Sequence, residues 1–235
     1  MRNYMILNGT SSETIQGLLI QSLPPISKPL IRTEIEEIDG RDGDIITTLG
    51  YSAYEKSISI GLSYNYDIDE VIQYFNSSGT VVFSNEEDKY YNYQILEQID
   101  FNRLIRFKTA TVRMHVQPFK YSVTDNSKTF SITDSTSLIQ IRNAGNIYSK
   151  PILTITGSGN IGIYLNGVQI FAIALGDIGS IVIDTTNMNA YLGTTLLNRI
   201  VTGDYDNFKL NVGLNTITWS GTITQIQIDN FSRWI

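Results

Sequence analysis

The chain has 235 residues, 42% of them apolar and 11% aromatic, a formal net charge of −6 and no cysteine. That length holds a full core in one large β domain or two ordinary ones, and the composition is that of a folded globule. The missing cysteines exclude disulfides, thiolate metal sites and a cysteine nucleophile, while the acidic balance argues against affinity for nucleic acid or anionic membranes.

At the N-terminus, Met1–Leu7 has one arginine but no uninterrupted apolar core, so it does not read as a signal peptide. No window approaches the roughly 18 apolar residues of a spanning helix. The expectation is synthesis in a cytosol, with no membrane partner. Asn8-Gly-Thr10, Asn76-Ser-Ser78 and Asn230-Phe-Ser232 match the glycosylation pattern, but without a secretion signal they are chance matches.

Next comes the dense stretch "EEIDGRDGDI", with five acids, one arginine and two glycines in ten positions. An EF-hand needs oxygen ligands at its first, third and fifth positions and a glutamate at its twelfth. Counted from Asp39, those positions hold Asp39, Arg41, Gly43 and Gly50. Whether two carboxylates form a glycosidase pair is decided by spatial separation, not by spacing in the chain. The bland reading is a tight turn. Gly40 and Gly43 supply backbone freedom, Asp39, Asp42 and Asp44 cap local N–H groups, and Arg41 pairs with carboxylates within the domain or across a subunit boundary.

Beyond the turn, "KSISIGLSY" (Lys56–Tyr64) and "TATVRMHVQPF" (Thr109–Phe119) alternate cleanly as strands. "GTVVFS" (Gly79–Ser84), "YNYQILEQI" (Tyr91–Ile99) and "RLIRFKT" (Arg103–Thr109) read as strands less cleanly. Between them "DIDEVIQYFNSSG" predicts a short helix capped by Asp67 or Asp69 and ended by Gly79, with Ile68, Val71, Ile72 and Phe75 on one face. His115, the single histidine, falls on the strand face of Thr111, Arg113 and Gln117, opposite Val112, Met114 and Val116. One histidine without cysteine makes a zinc site improbable and leaves His115 as the sole candidate for a triad histidine.

Composition shifts after residue 122. Residues 1–122 carry 16 acids and 11 bases, residues 123–235 carry 7 and 6, and the polar run "TDNSK" (Thr124–Lys128) marks a boundary. The second part is β throughout. "NIGIYLNGVQIFAI" predicts a hairpin turning at Asn166 and Gly167, the pair that a type I′ turn requires. "GSIVID", "NFKLNV" (Asn207–Val212), "NTITWS" and "ITQIQI" repeat the period of two. "GSGNIG" (Gly157–Gly162) matches the dinucleotide fingerprint, yet a hairpin follows where a helix must begin, so it reads as a glycine turn between strands. Tyr90, Tyr91, Tyr93, Tyr191, Tyr205 and Trp219 could stack on sugars or fill a core. The fold class is mainly β with a short helix. An α+β domain of residues 1–122 precedes an antiparallel β-sandwich of residues 123–235.

Spread along the chain, "NGTSS" (Asn8–Ser12), "PPISKP" (Pro24–Pro29), "IDGRDGDI" (Ile38–Ile45), "SISIGL", "MHVQPFKY" (Met114–Tyr121), "NAGNIYSKPILTITGSGNIGIYLNG" and "IVIDT" (Ile181–Thr185) follow a recognisable order. In that order and spacing the sequence resembles the distal tail protein, or baseplate hub, of siphophages infecting Gram-positive bacteria. The resemblance implies an N-terminal ring-forming domain resembling tail-tube subunits, and a galectin-like sandwich projecting outward. It implies a homo-hexamer at the virion tail tip. This hub would join the tail-tube protein to a tail-associated host-contacting protein and to a receptor-binding protein. It implies no enzyme and no cofactor or metal. The excess acid fits a ring that duplex DNA must pass through without sticking. No large insertion interrupts the sandwich, which argues against a receptor-binding arm. A carbohydrate-binding adhesin or lectin-like module is the alternative, favoured by the sandwich and the tyrosines.

Overall fold

The computed structural model describes residues 2–124, 126–133 and 135–235. Two compact units divide it, Met1–Val123 together with Ile235, and Thr124–Trp234.

The first unit contains β1 (Met5–Leu7), β2 (Thr10–Ser11), β3 (Leu18–Ser22), β4 (Ile31–Glu36), β5 (Ile45–Tyr51), β6 (Tyr54–Leu62), α1 (Ile68–Phe75), β7 (Ser78–Phe83), β8 (Lys89–Gln94), α2 (Phe101–Phe107) and β9 (Thr109–Ser122). Its main sheet runs β2–β1–β7–β8–β9–β6–β3, and β4 with β5 forms a separate two-stranded ribbon. Every pairing in that order is antiparallel. Alternation in β9 turns Val112, Met114 and Val116 into the core, as their period predicts, and leaves His115 half-buried on the other face.

α1 begins where expected. The Asp67 carboxylate accepts from the backbone N–H groups of Asp69 and Glu70. It ends earlier than expected, at Asn76, whose N–H donates to the Gln73 carbonyl. Gly79 instead lies in β7 opposite Tyr93, with φ +143°. The buried face is Val71, Tyr74 and Phe75, while Ile72 is exposed. Tyr74 wins burial because its hydroxyl finds the Met5 carbonyl at 3.1 Å, and a buried phenol needs such a partner.

The stretch Arg103–Thr109 is a second correction, since its residues through Phe107 belong to helix α2 rather than to a strand. Its cap is the Asp100 carboxylate, which accepts from the Arg103 N–H at 2.8 Å. Only Leu104 is buried, so the alternation of Ile105 and Phe107 with Arg106 and Lys108 carried no information about a sheet face.

The second unit contains β10 (Ser127–Ser131), β11 (Ile139–Asn143), β12 (Ile152–Leu165), β13 (Val168–Gly176), β14 (Ser180–Asp184), β15 (Asn189–Leu192), β16 (Thr195–Leu196), β17 (Val201–Gly203) and β18 (Gly213–Asp229). The two long strands serve both layers of the sandwich. The first half of β12 pairs with β14 and with the end of β18, while its second half pairs with β13 and with the middle of β18. β18 in turn pairs with β11 through its first residues and with β10 through its last.

The "GSGNIG" stretch is where β12 changes layers. It is not a turn between strands but an irregularity inside one, with register shifts at Thr156/Gly157 and Ser158/Gly162. A Cβ on Gly157 would meet the Thr222 carbonyl oxygen at 2.2 Å, and one on Gly221 would meet that of Asn160 at 2.1 Å. Glycine is needed here because two backbones cross closely. Likewise "NTITWS" and "ITQIQI" are one strand, and Asn207–Val212 is not a strand but a short irregular segment bridged to Ser149. The core between the layers is built from Leu153, Ile155, Ile163, Phe171, Ile226 and Ile228, with Phe208 stacked on Phe171 at 5.7 Å.

Candidate functional site

The β4–β5 ribbon contains no buried residue. Ile31–Glu36 and Ile45–Tyr51 pair only with each other among the described residues. Their register places Ile35 opposite Ile46 and Thr33 opposite Thr48, with Glu34 opposite Thr47 and Glu36 opposite Ile45. Residues directly opposite share a face. One face therefore presents the Ile35/Ile46 pair and the other presents Glu34 and Glu36. Ile35 is 58% exposed and Ile46 64% exposed. Burying one such side chain is worth about 1.5–3 kcal/mol, so the bare pair is a surface with something to gain from a partner.

At the tip, Gly40 and Gly43 take φ +83° and +77°, and the Ile38 carbonyl accepts from the Arg41 N–H at 3.1 Å. Asp39, Asp42 and Asp44 are all exposed. Their carboxylates accept no hydrogen bond among the described residues, so the expected capping of local N–H groups does not occur. The turn is held by its backbone and its glycines. Arg41 forms no ion pair among the described residues either. Asn166 and Gly167 take φ +50° and +86° between β12 and β13, where Leu165 pairs with Val168.

The root of the ribbon, by contrast, is fastened. The Tyr51 and Phe119 rings meet edge-on at 5.3 Å. Asn85 Nδ2 donates to the Pro24 carbonyl at 3.0 Å and Lys56 Nζ donates to that of Pro25 at 2.9 Å. Beneath lies a buried polar cluster. Lys120 Nζ stands 2.6 Å from a Glu86 carboxylate oxygen, and the other oxygen accepts from the Tyr91 hydroxyl. Lys56 Nζ sits 4.7 Å from the centre of the Tyr91 ring. Burial pushes the Lys56 ammonium down to about 8, Glu86 pulls it back upward, and Lys120 adds to the fall. Burial and the Glu86 hydrogen bond push the Tyr91 phenol well above its ordinary value.

Sequence reading missed this cluster. The signal was there, since Lys56 falls on the apolar face that Ile58 and Ile60 define in β6.

Among the described residues, no group of three or more His, Cys, Asp or Glu side chains is placed to hold a metal ion, and no helix is long and apolar enough to cross a membrane. The sandwich carries an open cleft of about 810 Å³ with Asn166, Gln169, Asp204, Asn207, Lys209 and Asn211 in its lining. None of the aromatics that could stack on sugars lines it. Tyr90, Tyr91 and Tyr93 are in β8 of the first unit, and Tyr205 packs edge-on against Phe171 at 5.2 Å.

The chain is thus an antiparallel first unit with two short helices and a separate two-stranded ribbon, followed by an antiparallel sandwich. The crystal structure of the SPP1 Dit (gp 19.1) protein, described as a paradigm of the hub adsorption apparatus in phages infecting Gram-positive bacteria, matches with a TM-score of 0.64. Sequence identity is 14%, over 100% of both chains. A structure of the phage p2 baseplate in its activated conformation with Sr matches with a TM-score of 0.45 at 13% identity, over 96% of this chain and 97% of that one. No protein-family model and no curated protein matches the sequence. The resemblance to distal tail proteins therefore holds in the fold, along the whole chain.

Proposed function

We propose that this protein is a structural component of the virion, the hexameric hub of a siphophage tail tip. It would join the tail-tube protein to a tail-associated host-contacting protein and to receptor-binding components, after synthesis in the host cytoplasm. The observation that carries this reading is the end-to-end fold match to a Dit hub protein. The ribbon supports it. A two-stranded element with a bare isoleucine pair and six acids against one arginine between Glu34 and Asp44 is equipped to meet a neighbouring subunit. Ring formation is assigned to residues 1–122 and outward projection to residues 123–235. Asp39, Asp42, Asp44 and Arg41 are the candidate subunit contacts. The role is structural, not catalytic. A chain of net charge −6 also suits a ring through which DNA slides without being bound.

The glycan-binding alternative rests on the sandwich cleft. Its lining offers amides and charges but no aromatic ring to stack on a sugar, so the hub is preferred. Negative-stain images of the purified full-length protein test the choice. Six-fold closed rings are expected. Single particles of one chain's size, in a sample that binds a glycan array, would favour the adhesin.

A further inference from the structure

A ribbon that meets a neighbouring subunit needs a receiving surface, and any assignment of that surface rests on the ring reading. α2 is a helix with one buried residue, Leu104. Phe107 is 67% exposed and Ile105 37% exposed. Arg103, Arg106 and Phe107, spaced three and four apart, share a face and, with Asp100 and Asn102, line a cleft of about 440 Å³. Arg106 stands with its guanidinium carbon 5.8 Å from the centre of the Phe107 ring. Neither arginine forms an ion pair among the described residues.

The ribbon tip is its complement. Asp39, Asp42 and Asp44 are exposed without a hydrogen-bond partner among the described residues, and Ile38 beside them is 44% exposed. The tip therefore offers carboxylates and an aliphatic side chain, and the α2 cleft offers guanidinium groups and an aromatic ring. Arginine forks suit carboxylates, and a desolvated pair of this kind sets register. Two different surfaces on one chain, each matched to the other, make a heterologous contact, the kind that closes into a ring after a fixed rotation.

We propose that the acidic tip of one copy's ribbon seats in the α2 cleft of a second copy, with Asp39, Asp42 and Asp44 against Arg103 and Arg106, and Ile38 against Phe107. The arginines then act on protein carboxylates rather than on nucleic-acid phosphates.

Charge-swapped full-length chains test this by sedimentation velocity. One variant is R103E/R106E and the other is D39K/D42K/D44K. All five positions are exposed, and circular dichroism with a thermal melt checks that each variant is folded. The unsubstituted chain should sediment as an oligomer, and each variant alone as a single subunit. An equimolar mixture should recover the oligomer, because each tip then finds a cleft of opposite sign. If R103E/R106E assembles like the unsubstituted chain, α2 is not the receiving surface although the ring stands. If both variants are monomeric and the mixture stays so, the pairing is wrong. If the unsubstituted chain is itself monomeric at every concentration, the ring reading falls and takes this contact with it.

Discussion

Lys120 and Glu86 are paired at 2.6 Å with side chains only 7% and 12% exposed. Removing one partner from such a pair leaves a buried charge and costs about 3–5 kcal/mol. Lys120→Ala should therefore lose stability on that scale in urea unfolding. A loss below about 1 kcal/mol would mean that water reaches Glu86. Lys56 makes a different prediction. Burial lowers its folded-state value to about 8, against an ordinary 10.5. Between those values the unfolded chain holds a proton that the folded one has released, so this group's contribution to stability rises with pH across that window. Below about 8 both states are charged and the folded state bears the whole desolvation cost. Melting temperatures of the native protein and Lys56→Met, measured in parallel from pH 7 to 10, should diverge in favour of the native protein as pH rises. Parallel curves would show that Lys56 keeps its proton throughout.

The ribbon is the element that carries the proposed subunit contact. Ile35 and Ile46 are exposed and belong to neither hydrophobic core, so Ile35→Ser with Ile46→Ser should change the unfolding free energy by no more than about 0.5 kcal/mol. The same double substitution should weaken self-association, read as a higher concentration for half-assembly by sedimentation. A large loss of stability without any change in assembly would make the ribbon a structural strut of its own subunit. Of this element the turn was legible beforehand, because paired glycines among acids in "GRDGD" supply the backbone freedom a tight turn needs, while the strands flanking it, Ile31–Glu36 and Ile45–Tyr51, were not read. What the aspartates do in the turn was not legible either, since capping depends on where carboxylates point. Strands with one buried face, such as β6 and β9, were legible from their period of two. α2 was misread because Ile105 and Phe107, set between Arg106 and Lys108, mimic alternation in a helix that buries a single residue. The Asp100 cap was the signal against a strand. The layer change in β12 hides from sequence reading because a glycine cluster is the same string whether the chain reverses or merely bends. Only the crossing of Gly157 over Thr222 and of Gly221 over Asn160 tells them apart.

At the scale of the whole molecule, charge is unevenly shared. The unit assigned to the ring holds 16 of the 23 acids and 11 of the 17 bases, while the sandwich is poor in both. A charge-rich unit sets register with its neighbours through opposed patches more than it gains affinity from them. A sandwich whose core closes on itself has no need of a neighbour. In the proposed hub, whole chains close into a ring of six. Light-scattering mass of the full-length protein, eluted at tens of micromolar and moderate salt, tests it most directly. One species at six times the 26.4 kDa of a single chain is expected, splitting to single subunits when Asp39, Asp42 and Asp44 are replaced by lysine. A stable mass of one chain at every concentration, with the protein folded, would contradict it.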